Sequence, residues 1–173
     1  MYCKELEHNK QNSKDLIALK KQYQHAKQAR AELLNYCGTI KPEDLHKEIA
    51  GFNDSTIAGM LLHIANTYHF WLKRFAGKQE FEYFDEKNIT DINDVKKIFE
   101  LTDKLVMSFL DSYPYHTTRI KGEIFWLKTD MTFNVLELFT HVMTHEFHHK
   151  GQIMTMTRML GYTPVDADII RFN

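Results

Sequence analysis

Apolar positions along this chain recur at helical spacing in four long stretches separated by breaker residues. In the first, Leu16, Leu19, Tyr23, Ala26 and Leu33 follow one another at intervals of three, four or seven, which traces one face of a helix. The pattern predicts a helix from a cap at Asn12 or Ser13 to about Tyr36, ending before Gly38, with the polar residues 1–11 frayed. A connector holding Gly38, Pro42 and Gly51 follows, with room for one helical turn from Glu43 to Glu48. The second helix is expected from a cap at Asp54 or Ser55 to Gly77. Its stripe runs through Ile57, Met60, Leu61, Ile64, Tyr68, Trp71, Leu72 and Phe75.

The third helix should start from Thr90 or Asp91, bury Val95, Ile98, Phe99, Leu105, Val106 and Phe109, and be barred from continuing by Pro114. Between Tyr115 and Asp130 the period changes. The run TTRIKGEIFWL places β-branched and aromatic residues around Lys121-Gly122, which suits a short hairpin or an irregular segment. The last helix is expected from Thr132 or Asn134 to about Leu160, with Gly161 and Pro164 as its stop. Four long helices without repeats or a clear linker predict an all-α fold, a four-helix bundle formed by residues 1–173 as a single domain.

Composition narrows the function classes. A chain of 173 residues can bury a core without staples. Its 22 basic residues against 23 acidic ones give a net charge of -1. That balance offers no basic surface for nucleic acid and none for an anionic membrane. Cys3 and Cys37 are read as two unrelated thiols. The polar N-terminus lacks the apolar core of a signal peptide, and no stretch reaches the length of a transmembrane helix. A cytoplasmic protein is the expectation.

The unusual count is 10 His, four of them in HVMTHEFHHKGQ. Residues four apart on a helix lie about 40° from each other, so His141, His145 and His149 form a ladder, with His148 on its flank. Leu138, Val142, Met156 and Leu160 fall within about 60° of His145, so the ladder is expected to interrupt the inward face. An imidazole pair at this spacing can chelate one ion, and a usable site needs at least a third ligand. Satisfied core histidines are the competing reading of the same pattern. Helix two offers His63 and His69, on opposite edges of its stripe, and periodicity does not choose between them. The neighbours Met60, Thr67 and Phe70 favour His63 only slightly. Gln152 shares the face of His145 and could bond a ligand. Glu137 is placed at a cavity edge, Glu146 toward solvent, and no general base is evident. Met154, Met156 and Met159 read as core filler.

The run HEFHHKGQI followed by MLGYTPVDAD resembles the DinB/YfiT-like superfamily of metal-binding helical bundles, as does STIAGMLLHIANTYHFWL in helix two. The resemblance covers roughly residues 55–170 and departs at Lys150, where the family usually has Arg. It implies an up-down-down-up bundle holding one divalent ion on His63, His145 and His149; imidazole ligands suit zinc, nickel, copper and iron, and zinc or nickel is the expectation. His69 and His141 match no ligand position. The resemblance further implies a metal-dependent enzyme, a hydrolase or thiol S-transferase acting on a small molecule with a low-molecular-weight thiol, and hints at a homodimer. Three imidazoles leave coordination positions open, as in catalytic rather than structural zinc sites. The alternative is a non-catalytic or stress-associated bundle whose ion is structural or sequestered.

Overall fold

The computed structural model describes residues 2–53, 55–113 and 115–170, with side chains described from Lys14 onward. The chain is mostly helical, with one small antiparallel sheet. Helix α1 spans Tyr2–Cys37, so from Tyr2 onward the polar N-terminal residues are helical rather than frayed. A single turn, α2 (Pro42–Leu45), carries Pro at its start, where a missing N–H is no loss. Helix α3 (Ile57–Tyr68) is capped by Thr56, whose hydroxyl accepts from the Gly59 N–H, one residue later than Ser55; Asp54 lies outside the described residues. It runs on as a π-helical segment, His69–Ala76, up to Gly77.

Helix α4 (Ile92–Ser112) begins at Asp91, one of the two expected caps, whose carboxylate accepts from the Asn93 N–H at 2.7 Å; Pro114 is outside the described residues. Strands β1 (Arg119–Ile124) and β2 (Thr129–Asn134) pair antiparallel, with Arg119 opposite Asn134. The turn is at residues 125–128, not at Lys121-Gly122. Gly122 instead lies inside β1, where an added Cβ would sit 2.7 Å from the Phe75 ring. That close approach of strand to helix needs a residue without a side chain. Asn134 both ends β2 and caps α5 (Val135–Met159), in a reciprocal box with Glu137. Glu137 is therefore engaged at the helix start rather than at a cavity edge.

Helices α3 and α5 pack against each other, and each also meets α1 or α4. Tyr23, Leu61, Ile64, Tyr68, Phe75, Leu110, Phe139 and Ile153 fill the space between them. Within this apolar core lies a charged knot. Arg30 of α1 is 3% exposed and Glu146 of α5 is 4% exposed, so Glu146 faces inward rather than solvent. Arg30 Nε lies 3.1 Å from Glu146 Oε1, close enough to pair although not aligned for a hydrogen bond, and Nη2 lies 3.1 Å from Asp103 of α4. The Tyr68 hydroxyl donates to Glu146 Oε2 at 2.6 Å, and the Tyr23 hydroxyl donates to Asp103 at 2.7 Å.

Beyond α5 the chain turns at Gly161, where φ is +89°, and runs back along the molecule. Lys150, nearly buried, donates to the Ala167 carbonyl at 2.5 Å, and the Tyr162 hydroxyl donates to Asp44 at 2.6 Å. Cys37 is a free, buried thiol; the side chain of Cys3 is outside the described part. Among the described residues no helix is long and apolar enough to cross a membrane.

Two outcomes follow for stability. Glu146→Ala strips a buried cation of one partner, which should lower the unfolding free energy by about 3 kcal/mol in urea titration; an unchanged midpoint would show that the knot carries no stability. The second concerns His69, only 7% exposed among Phe81, Phe84 and Thr102. Burial, helped by the Lys73 charge, holds its imidazole down to about 4. The unfolded chain therefore binds the proton first, and stability is lost as pH falls from about 6.5, the ordinary value, toward about 4. In the metal-free protein, His69→Gln should show a clearly shallower loss over that interval by chemical unfolding at stepped pH.

Candidate metal centre

Helices α3 and α5 run antiparallel where they meet, so His63 faces His145 and His149 while Trp71, two turns on, meets His141. The i, i+4 spacing stacks the two α5 imidazoles on one face. One ring nitrogen from each of His63, His145 and His149 lies within 4.8 Å of the others. His145 Nε2 stands 3.2 Å from His63 Nε2 and 3.1 Å from His149 Nε2. Nitrogens held at ~2.05 Å around one zinc-like ion would stand about 3.3 Å apart in a tetrahedron. The donor set and its spacing thus fit a single cation.

The other ring nitrogens distinguish the three. His149 Nδ1 donates to Gln152 Oε1 at 2.6 Å, which fixes the tautomer that leaves Nε2 with a free lone pair. Gln152 therefore serves the neighbouring imidazole within its own helix. Nδ1 of His145 is buried without a hydrogen-bond partner among the described residues. Desolvation, with the adjoining imidazoles of His149 and His63, pushes His145 down to about 3. Burial also lowers His63 and His149, although His63 as a residue remains exposed on its outer edge. Neutral imidazole is the form a metal requires.

The ladder sits at the flank of the buried stripe rather than in its middle. The stripe runs Phe139, Val142, Glu146, Lys150, Ile153 and Thr157, whereas His141 is exposed and His145 and His149 are half-buried. His141 packs edge-on against Trp71 with centroids 5.0 Å apart and stays outside the cluster, its centroid 6.0 Å from that of His145. His69 points to Thr102. Met156 is core as expected and Met154 partly so, but Met159 is 56% exposed. Because the cluster is lateral, it opens on a cleft of about 420 Å³ bounded by His63, His149, Gln152, Met60, Gly59 and the connector residues Gly51, Phe52, Asn53 and Ser55.

Sequence reasoning missed two features beside this site. Glu146 was legible in principle, since it falls at helical spacing from Val142, Lys150 and Ile153, all buried. Glu86, which comes over Gly59 from the loop before α4, had no local signal.

The chain belongs to the DinB family, which it matches over residues 9–173. It is 26% identical over 146 residues to an uncharacterized protein of Bacillus subtilis (strain 168), YizA, covering 83% of this chain and 88% of that protein.

Gln152 gives a test of the cluster's support. Gln152→Leu should weaken zinc affinity at the triad at least about tenfold, as loss of a ligand-orienting hydrogen bond does in metal sites. Competition with a chromogenic chelator measures it, and an affinity equal to wild type would show that the 2.6 Å contact orients nothing of consequence.

Proposed function

We propose that His63, His145 and His149 hold one divalent cation, zinc or nickel, and that the protein is a metal-dependent enzyme acting on a small molecule. The observation that carries this is the convergence of three Nε2 atoms at the edge of an open cleft. Four protein ligands would close a structural site; three leave room for an exogenous one. An ion bound there would act as a Lewis acid that lowers the pKa of a coordinated thiol or water near neutrality.

The chain's own residues supply the rest. Gln152 orients His149, and the pairing of α3 with α5 orients His63 toward His145. The cleft is large enough for a small molecule and offers Asn53, Ser55 and Gln152 as hydrogen-bonding groups. This favours a thiol S-transferase with a low-molecular-weight thiol as co-substrate, or a hydrolase using water, over a merely sequestered ion, whose site would have no need of a cleft. We further read residues 1–173 as one four-helix bundle of up-down-down-up order, built from α1, α3, α4 and α5, working in the cytoplasm.

Metal analysis of the purified protein beside His145→Ala tests the proposal. The wild type should retain close to one equivalent of zinc or nickel after dialysis and the variant almost none. Equal metal content in both would remove the proposal's basis. Screening the loaded protein with thiols and electrophiles then reads the reaction class.

A further inference from the structure

Among the described residues the walls of the cleft contribute no Lys, Arg, Asp or Glu, and one carboxylate comes to its border from outside, against Gly59. That group is Glu86, in the 3-10 turn Glu86–Asn88. Its Oε1 is fully engaged: Thr56 donates its hydroxyl at 2.7 Å, and the His46 Nδ1 lies 2.9 Å away. Its Oε2 accepts no hydrogen bond from any described residue. Instead it occupies the place a side chain would take at position 59, since an added Cβ on Gly59 would lie 2.7 Å from it. Gly59 lines the cleft, and it precedes His63 by four residues, so it sits one turn below on the same face of α3. The axial rise between them is about 6 Å.

A carboxylate held through one oxygen by Thr56 and His46, with the other oxygen against Gly59 at the cleft border and without a hydrogen-bond partner among the described residues, is prepared to accept from a charged donor. Glu86 and His46 are each about one-third exposed, so the carboxylate is reachable from solvent. We propose that Glu86 is the second recognition pole of the cleft, selecting small thiols that carry an ammonium group, with sulfur toward the His63–His145–His149 cluster and nitrogen toward Glu86 Oε2. This rests on the metal-binding reading above. Gly59 is then a specificity position, because only the absence of its side chain lets the carboxylate lie there.

The test uses cobalt(II)-loaded protein, in which a coordinated thiolate gives a sulfur-to-cobalt charge-transfer band in the near ultraviolet. Cysteamine, 2-mercaptoethanol and 3-mercaptopropionate are titrated, and the apparent affinities are compared as ratios. Part of any cysteamine preference reflects its more acidic thiol and survives in every variant, so the readout is the change in ratio. In Glu86→Gln the cysteamine-to-mercaptoethanol ratio should fall roughly tenfold, the scale of one charge-assisted hydrogen bond. The handicap of mercaptopropionate should shrink alongside. Gly59→Ala retains the carboxylate but displaces it, and should produce the same fall with cobalt affinity unchanged. A ratio unaltered in both variants overturns the role of Glu86 while leaving the metal centre standing. Failure of the wild type to bind cobalt removes the metal centre and this inference with it.

Discussion

A guanidinium with almost no access to water must keep carboxylates around it, and Arg30 obliges three helices to do so. Glu146 from α5 and Asp103 from α4 both come within 3.1 Å of it, and Tyr68 of α3 reaches Glu146 from the other side. The pairing need not raise stability above that of a well-packed apolar core, because desolvation offsets much of the attraction. It does fix how the helices are turned about their axes. Glu146 follows His145 directly, so a carboxylate locked inward leaves the adjacent imidazole at the lateral edge. The Tyr68–Glu146 bond also ties α5 to the helix that carries His63.

The histidine cluster is thus a by-product of how α5 is rotated, and its openness has the same origin. Had the histidines occupied the middle of the buried stripe, the core of Phe139, Val142 and Ile153 would have enclosed them. At the flank they meet a connector whose Gly51 and Asn53 both adopt positive φ, which bends the chain over the space and leaves it accessible. Glycine accepts that backbone freely and Asn tolerates it better than most residues.

Much of this was legible in the amino-acid order. The caps at Asp91 and Asn134 and the stops at Gly77 and Gly161 follow local rules about termini and appear where those rules put them, and all four long helices are present, although α1 starts at Tyr2 and α3 is capped one residue late. The meeting of His63 with the α5 pair was indicated by resemblance rather than by periodicity, which left His69 as an equal candidate. What local pattern could not show was long-range. The partner of the inward-turned Glu146 is an arginine 116 positions earlier, which no local spacing could name. The placement of Glu86 depends on His46 and Thr56, brought to it by folding. The hairpin turn also fell beyond Lys121-Gly122, because Gly122 is needed against Phe75 and the exposed run 125–128 is left to reverse the chain.

Asn134 is the last residue of β2 and the cap of α5, with no linker between them. The hairpin therefore runs directly into the helix that bears two of the three imidazoles. Its tip shows Phe125, Trp126 and Leu127 to the outside, each more than 40% exposed. Phe125 and Trp126 also pack on Phe70 of the π-helical continuation of α3, so the hairpin bridges the two helices that supply the three imidazoles.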